Sequence, residues 1–248
     1  MSILGIIPAR FASSRFPGKP LADIRGKSML ARVFEQALKS ELLDEVVVAT
    51  EDERIYDHAD KLGAKVIMTG AEHRSGTDRC LEAFLKHKGD FTHVLNIQGD
   101  EPFLDPEQIN SIARICTDDT EIATQMTLCT SQEILFDPGE VKIILNQHNE
   151  AIYFSRSVIP FLKDKKEEEW HKSFRYYRHV GMYAYRVDVL EKICALEPSS
   201  LELAESLEQL RWLQNGFRIK CVETPFDSHG IDTPADIEKV LRLMNIKD

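Results

Sequence analysis

Three permanent cations follow the first apolar segment of the chain. The apolar run at residues 3–7 ends at Pro8, and Arg10, Arg15 and Lys19 come next, among small residues, prolines and a glycine. A buried strand that ends in such a constrained loop can gather three charges and backbone N–H groups around a strongly anionic ligand. A polyphosphate is the obvious candidate, and a solvated basic loop is the alternative that residue types alone leave open.

The loop differs from two common phosphate-binding motifs. A P-loop requires Ser or Thr after its lysine, whereas Lys19 is followed by Pro20. No G-x-G-x-x-G follows the first apolar segment, so the dinucleotide-binding fingerprint is absent. Any polyphosphate bound here is therefore held by a different kind of loop.

Two aspartates have positions that suit a metal ligand. Asp100 directly follows an apolar segment, and a strand-end carboxylate that shares Mg²⁺ with substrate phosphates is common. Its neighbours are also ordinary turn residues, and residue types alone favour that simpler interpretation. Asp232 stands just before a predicted helix start, in which Thr233 is the N-cap, Pro234 the first and Asp236 the third helical residue. This cap leaves the Asp232 carboxylate without a capping role.

The elements that must position these groups alternate between strand and helix. Apolar runs at 46–49 and 94–97 predict strands buried on both faces. Apolar residues at helical spacing predict helices within 30–38 and 237–244. This alternation predicts an α/β fold with a largely parallel sheet. Ligands of such sheets bind beyond the carboxyl ends of the strands, where both the cationic loop and Asp100 would lie.

The middle of the chain has a different pattern. Segments 122–128, 141–145, 151–155 and 180–185 have strand patterns without long helices between them, which predicts an antiparallel extension. The charged run at 163–169 is most simply a solvated surface loop. We therefore expect a single domain over residues 1–248 with a subdomain at about 120–225.

Composition narrows the function classes. The 248 residues are 43% hydrophobic and carry a net charge of −10, which makes the chain a poor general binder of nucleic acid or anionic membranes. Its five cysteines are scattered and form no C-x-x-C motif. We therefore expect a cytoplasmic protein whose thiols are reduced and mostly buried. Neither a signal peptide nor an apolar run of about 18 residues is present, so no membrane insertion is expected.

Seven segments, in order along nearly the whole chain, resemble those of one family, the CMP-KDO synthetases or 3-deoxy-manno-octulosonate (KDO) cytidylyltransferases. The segments are IIPARFASSRFPGKPL (6–21), HRSGTDR (73–79), NIQGDEP (96–102), YFSRSVIP (153–160), RHVGMYAYR (178–186), LEQLR (207–211) and GIDTPADI (230–237). The first segment alone suggests a wider group of sugar-activating nucleotidyltransferases, and the later ones narrow it to the KDO branch. Ser14, where the family often has Thr, and the poorly matching stretch 163–177 are the departures.

The resemblance implies a Rossmann-like, three-layer α/β/α fold and a Mg²⁺-dependent reaction. CTP and KDO would give CMP-KDO and pyrophosphate, for lipopolysaccharide biosynthesis, by attack of the anomeric hydroxyl on the α-phosphorus. The resemblance also implies a homodimer, with sugar binding and dimerisation in the 120–225 subdomain.

The same resemblance assigns roles around the nucleotide. Arg10 and Lys19 would hold the β- and γ-phosphates, and Arg15 would bridge phosphate and the sugar carboxylate. Asp100 and Asp232 would be the Mg²⁺ ligands, and with Arg10 and Lys19 they form the expected catalytic set. The nucleotide pocket would include Arg74, at a position that varies in the family, together with Ser75 and Gln98. For Ser75, a helix cap before residues 78–86 is an equal alternative.

Five further positions match the family's sugar site. They are Arg156, His179, Tyr183, Glu208 and Gln209. Such donors and acceptors suit a sugar with a carboxylate and many hydroxyls, and KDO, an amino-substituted KDO or a related acidic sugar all fit them. For Glu208 and Gln209 the alternative is a solvated helix face, because Leu203, Leu207 and Leu210 have the spacing of one apolar helix stripe. For His179 the alternative is a structural histidine.

Two other function classes share parts of this pattern. A metal-dependent glycosyltransferase usually carries a D-x-D motif at a strand end, whereas Asp100 and Glu101 are adjacent. A non-catalytic nucleotide-binding regulator needs neither the paired carboxylates nor the sugar-site positions. Pyrophosphate release from CTP in the presence of KDO and Mg²⁺ distinguishes the three classes.

Overall fold

A computed structural model describes residues 1–13, 15–226 and 230–243. The chain divides into two compact units, one of Met1–Arg114 with Ser228–Asp248 and the other of Ile115–Asp227. The subdomain expected at about 120–225 falls within the second unit, while its sugar-binding and dimerisation roles stay predictions. No helix in the described ranges is long and apolar enough to cross a membrane. All five cysteines are free, and four of them are buried, as expected.

The elements follow one another in this order: β1 (Ile3–Pro8), β2 (Asp23–Ile24), β3 (Lys27–Ser28), α1 (Met29–Ala37), β4 (Glu45–Thr50), α2 (Glu53–Lys61), β5 (Lys65–Met68), α3 (Gly76–His87), β6 (His93–Asn96), α4 (Pro106–Ile115), β7 (Ile122–Leu128), α5 (Gln132–Phe136), β8 (Lys142–Leu145), β9 (Ala151–Ser155), α6 (Trp170–Ser173), β10 (Tyr177–Arg186), α7 (Val187–Cys194), α8 (Ser200–Glu205), α9 (Glu208–Gln214), β11 (Ile219–Glu223) and α10 (Pro234–Leu243). Short 3₁₀ turns lie at Lys19–Leu21 and Glu167–Glu169.

The first unit is built on four parallel strands in the order β6-β1-β4-β5. The central strand β1 is buried over nearly its whole length, because Ile3, Leu4, Ile6 and Ile7 have almost no exposed surface. The continuous apolar runs that predicted β4 and β6 are confirmed, as are helices α1 and α10. Met244, predicted to extend the α10 stripe, lies outside the described residues. The carboxyl ends of β1 and β6 therefore lie side by side, and each is followed by one of the two predicted functional segments.

The second unit is mainly antiparallel, with the strand order β11-β7-β10-β8-β9. Strand β10 pairs antiparallel with β7 and β8, and β11 is the one strand paired parallel here, to β7, among the described pairings. All four strands predicted in this region are present. The predicted α/β class, a mostly parallel sheet with a small antiparallel part, is thus confirmed. Residues 163–169 are exposed as expected, and Trp170 immediately after them is buried against Leu135 and Tyr176.

Candidate active site

The segment between β1 and the Lys19 turn, which we name the cation loop, comprises residues 9–13 and 15–19. Its two ends are joined, because the Gly18 N–H donates to the Phe11 carbonyl over 2.9 Å. Gly18 has a φ of +71°, and a Cβ there would also meet the Phe11 ring at 3.1 Å. Glycine is therefore needed to close the loop, and the closure brings Lys19 back toward the strand end from which Arg10 departs.

A cavity of about 360 Å³ opens at the carboxyl end of the parallel strands. Its lining includes every first-unit residue that the sequence predicted for nucleotide or metal binding. These residues are Arg10, Arg15, Lys19, Arg74, Ser75, Gln98, Asp100 and Asp232. The structure thus gathers residues from four separate segments of the sequence, while their individual roles stay predictions.

An ion-pair network crosses the floor of this cavity. The Lys19 ammonium donates to Asp100 Oδ2 over 2.8 Å and to Asp232 Oδ1 over 3.3 Å. The Arg15 guanidinium pairs with the same Asp232 oxygen at 3.0 Å. Lys19 is mostly buried, whereas Arg10 and Arg15 are exposed. Lys19 and Arg15 together therefore balance the two aspartate charges. Arg10 and Arg15 expose their side chains to solvent at the cavity.

Backbone geometry explains how the two aspartates meet. Gly99 precedes Asp100, and a Cβ on Gly99 would lie 2.8 Å from the Pro8 carbonyl oxygen, so only glycine allows this close approach to the end of β1. The Asp100 carbonyl accepts the Ile231 N–H over 2.9 Å. Ile231 itself is fully buried in a cluster with residues of α1 and α10. Because Asp232 directly follows Ile231, its backbone is held close to Asp100.

The predicted cap of α10 is confirmed and leaves Asp232 available. The Asp236 carboxylate accepts the Thr233 N–H over 2.8 Å and the Thr233 hydroxyl over 2.9 Å. These hydrogen bonds hold the pKa of Asp236 below its usual range, and the one from the Thr233 hydroxyl has the largest effect. Asp232 donates only its backbone N–H to this cap, so its carboxylate can face the cations.

Ser75 acts as a helix cap, which was one of the two interpretations of this residue. Its hydroxyl accepts the Asp78 N–H over 3.2 Å and so caps α3. Helix α3 has 12 residues, and its N-terminus lies at the cavity wall together with Arg74 and Ser75. The capping role does not remove Ser75 from the lining, and the positive end of the helix dipole adds to the local preference for anions.

The donor set suits Mg²⁺ in part. No group of three or more His, Cys, Asp or Glu side chains in the described part of the chain is arranged to hold a metal ion. Two carboxylates that meet at one cation position are nevertheless what Mg²⁺ commonly takes from a protein when substrate phosphates and water supply its remaining oxygens. Asp100 and Asp232, which both contact Lys19 Nζ, fit that pattern.

The five predicted sugar-site residues all belong to the second unit. The rings of His179 and Tyr183, both on β10, have centroids 5.1 Å apart. Besides burial, the negative charge of Glu208 contributes to a raised pKa of the Tyr183 hydroxyl. The His179 Nε2 lies 2.9 Å from the Thr124 hydroxyl, and burial lowers the pKa of His179 to about 3. Burial raises the pKa of Tyr183 well above its ordinary value. Both side chains are therefore neutral near pH 7 and can exchange hydrogen bonds with hydroxyls.

Arg156 is already bound within the second unit. Its Nε donates to the Glu205 carbonyl over 2.7 Å, and its Nη1 donates to the Pro138 carbonyl over 3.0 Å. The backbone N–H of Arg156 donates to the Glu205 carboxylate as well. The guanidinium is thus held in a fixed position, with two backbone carbonyls as its partners.

One prediction about this region is wrong. Leu203, Leu207 and Leu210 were expected on one helix, with Glu208 and Gln209 projecting from it. Ser206 instead adopts a left-handed conformation with φ +53° and ends α8, and a new helix begins at Glu208. Leu203 is consequently 70% exposed, whereas Gln209 is only 6% exposed. The spacing was compatible with one helix because only two residues separate α8 from α9.

The Glu208 side chain is also turned inward in part. It accepts from Arg211 Nη2 over 2.9 Å, one turn along α9. Arg211 is itself buried and donates to the Leu196 carbonyl. The solvated-face interpretation therefore fails for Gln209 and holds only partly for Glu208.

Sequence reasoning missed two titratable residues of the cavity wall, His73 and Arg79. His73 makes a short contact with the Glu82 carboxylate, and hydrogen bonds to this carboxylate outweigh its burial and lower the pKa of Glu82 to about 2. Arg79 is 4% exposed and pairs with Glu51 at 3.0 Å. Both lie in the segment HRSGTDR, so the motif contained the signal, but nothing in the spacing distinguishes these two from their polar neighbours.

A parallel α/β sheet whose strand ends hold cations and paired carboxylates around one cavity is suited to binding a polyphosphate together with a metal ion. The chain matches the cytidylyltransferase family over residues 4–220. It is 51% identical to a 3-deoxy-manno-octulosonate cytidylyltransferase of Parabacteroides distasonis, with 98% of each chain covered. It is also 51% identical to the protein of that name from Bacteroides thetaiotaomicron, with 96% of each covered.

Solved structures agree with this assignment. A CMP:2-keto-3-deoxy-manno-octonic acid synthetase in complex with CTP matches with a TM-score of 0.90 and 41% identity, over 99% of both chains. A 4-diphosphocytidyl-2C-methyl-D-erythritol synthase from Anaerococcus prevotii, 16% identical with a TM-score of 0.60, shares the fold. The chain belongs to the cytidylyltransferase family, in its 3-deoxy-manno-octulosonate cytidylyltransferase branch.

Proposed function

We propose that this protein transfers CMP from CTP to the anomeric hydroxyl of KDO, releasing pyrophosphate, and so supplies an activated sugar for lipopolysaccharide biosynthesis. The observation that carries the proposal is the cavity in which three cations face two paired carboxylates, in a chain of this family. A new bond forms between the anomeric oxygen and the α-phosphorus. The bond between the α-phosphorus and the oxygen that bridges it to the β-phosphorus breaks, and that oxygen leaves with pyrophosphate. No covalent protein intermediate is needed, so catalysis consists of positioning and charge stabilisation.

The triphosphate is the natural ligand of the cation loop. Arg10 is exposed at the cavity, and Arg15 and Lys19 are the other two cations of the loop. Arg10 and Lys19 would hold the β- and γ-phosphates and stabilise the charge that develops on the leaving pyrophosphate. Arg74, Ser75 and Gln98 would contribute to the pocket for the rest of the nucleotide.

We propose Mg²⁺ as the cofactor, held by Asp100 and Asp232 together with phosphate oxygens. When bound, it would neutralise charge on these oxygens and lower the pKa of the attacking hydroxyl. Lys19 would then exchange its two carboxylate partners for phosphate, because the same ammonium cannot serve both sets of acceptors fully. Asp236, which caps α10 independently, would keep Asp232 in place during this exchange.

The family resemblance assigns the sugar to the second-unit residues Arg156, His179, Tyr183, Glu208 and Gln209. It gives Arg15 a role toward the phosphate and the sugar carboxylate. A neutral imidazole and a neutral phenol can recognise hydroxyls, and the arginines can recognise the carboxylate. The burial of Gln209 supports a polar contact in a desolvated pocket rather than an exposed face.

Sugar selectivity tests this proposal. We expect pyrophosphate release from CTP with KDO and Mg²⁺, and little release when glucose 1-phosphate replaces KDO, because a neutral ring offers no carboxylate to the arginines. A coupled pyrophosphate assay with each sugar measures this. Efficient use of glucose 1-phosphate with no response to KDO would instead assign the protein to another nucleotidyltransferase branch.

We also propose that the protein works as a cytoplasmic homodimer. The family resemblance supports a dimer, and the exposed apolar side chains of Ile152 and Phe161 in the second unit would benefit from burial. Five free cysteines suit a reducing compartment. Sedimentation equilibrium is expected to give the mass of two chains, and a single-chain mass at micromolar concentration would contradict the dimer.

A further inference from the structure

We propose that Glu51 is a positioning residue that fixes the cation loop in the form that holds the triphosphate. It would do so by linking the buried guanidinium of Arg79 to the loop backbone at Phe11. The inference rests on the proposed function, because it concerns how the nucleotide's β- and γ-phosphates are bound.

The Arg79 side chain provides a rigid anchor. It extends from the first turns of α3, is 4% exposed and donates to the Thr69 hydroxyl and to the Gly70 carbonyl. Its third partner is Glu51 Oε2 at 3.0 Å. A buried guanidinium with hydrogen bonds to the segment after β5 has little freedom to move, so the ion pair ties the Glu51 carboxylate to a fixed cation.

The Glu51 carboxylate reaches two parts of the fold at once. Its Oε2 faces Arg79, while its Oε1 accepts the Phe11 N–H over 2.9 Å. Glu51 directly follows β4, so its backbone is fixed by the parallel sheet. One side chain thereby joins the sheet, α3 and the residue next to Arg10.

Both backbone hydrogen-bonding groups of Phe11 have partners. Its N–H is taken by Glu51 and its carbonyl by the Gly18 N–H, which closes the loop. Its ring packs between Gly18 and the Arg54 guanidinium, whose Cζ lies 3.3 Å from the ring centroid. Loss of the Glu51 carboxylate would therefore release the loop on the side from which Arg10 projects.

Pre-positioning matters here because the loop carries three like charges. Ion pairs with Asp100 and Asp232 offset part of the repulsion among these cations. The positive charge of Arg10 adds to it, so contacts elsewhere in the fold must support the loop. A loop fixed in advance loses less conformational freedom on binding than a mobile one. Glu51 touches none of the predicted phosphate-binding side chains in the described contacts, so its effect would act through Phe11.

The test compares two nucleotides in Glu51→Ala. We expect the Kd for CTP to rise by about tenfold to a hundredfold, on the scale of misplaced binding groups, while the Kd for CMP, which lacks the β- and γ-phosphates, changes little. Isothermal titration of both ligands measures this. Glu45→Ala is the matched control, because Glu45 begins the same strand β4, is ion-paired with Lys65 and contacts His87 Nε2.

A double-mutant cycle with Arg10→Ala tests the route. If Glu51 acts through the loop, its removal should cost less in the Arg10→Ala background, with a coupling of about threefold or more in the Kd for CTP. Additive effects would contradict the proposal, as would equal losses for CTP and CMP, or no loss.

Glu51→Gln keeps an acceptor for the Phe11 N–H and removes the charge opposite Arg79. Its Kd for CTP should lie between those of the wild type and Glu51→Ala, and it provides the comparison if the alanine variant does not fold. Suppose that the wild type binds CTP and releases pyrophosphate, but the Kd for CTP is unchanged in Glu51→Gln. That result overturns the positioning role alone. A wild type that binds no CTP overturns the proposed function instead.

Discussion

Lys19→Ala is expected to lower kcat/KM for CTP by about tenfold to a thousandfold, the scale of one lost charge-stabilising donor. Lys19 is the least exposed of the three loop cations and contacts both predicted metal ligands, so it sits where phosphate charge must be neutralised. Steady-state kinetics with varied CTP give the ratio directly.

The matched control is Lys27→Ala. Lys27 is also an ion-paired lysine of the first unit, but it is half-exposed and pairs with Glu35 away from the cavity lining. Its loss should leave the rate within twofold or so, as expected for an exposed ion pair. If Lys19→Ala and Arg10→Ala both kept normal rates and normal CTP binding, the cation loop would not be the phosphate site.

The second large effect concerns the paired aspartates. Asp100→Asn and Asp232→Asn keep the side-chain shape and remove one charge each, and both should fold normally, need far more Mg²⁺ and turn over roughly a hundredfold slower or worse. The reason is that each removes half of the charged oxygen set that the protein can offer Mg²⁺. Activity measured against Mg²⁺ concentration for each variant tests this.

Asp188→Asn provides a close control for this pair. Asp188 contacts one arginine and one lysine, Arg186 and Lys192, as Asp232 contacts Arg15 and Lys19, but it lies on α7. Its substitution should leave the Mg²⁺ dependence unchanged. Wild-type turnover in excess chelator, or an unchanged Mg²⁺ requirement in both cavity variants, would exclude the two-carboxylate site.

These two predictions are coupled through the ion-pair network. Since Lys19 contacts both aspartates, its removal and theirs should not have additive effects on the rate. The Lys19→Ala,Asp100→Asn double variant should therefore lose less than the product of the two single losses. This non-additivity reflects a shared site rather than two independent ones.

Local sequence patterns were enough to predict much of the frame. The apolar runs of β1, β4 and β6 predict strands because a buried parallel strand needs no polar face, and the Thr233-Pro234 start with Asp236 defined the beginning of α10. Positions at strand ends then placed the cation loop and Asp100 at one edge. These inferences need only neighbouring residues in the sequence.

What the sequence did not predict depends on contacts between distant segments. The pairing of Lys19 with Asp100 and Asp232 requires the adjacency of β1 and β6 and the hydrogen bond from Ile231 to Asp100, neither of which any local pattern encodes. Likewise, Glu51 and Arg79 are 28 positions apart and become partners only through the fold. The spacing of the leucines predicted one helix, but Ser206 adopts a left-handed conformation and ends α8 there. Serine is not a residue type that predicts this conformation.

The most direct test follows the phosphorus atom. CTP labelled with ³²P at the α-position is incubated with the protein, Mg²⁺ and KDO, and the products are separated by anion-exchange chromatography. The proposed reaction predicts label in a sugar-linked CMP that forms only when KDO is present, with one unlabelled pyrophosphate released for each transfer. Label that stays in CTP, or that appears as free CMP at the same rate with and without KDO, would contradict the proposed transfer.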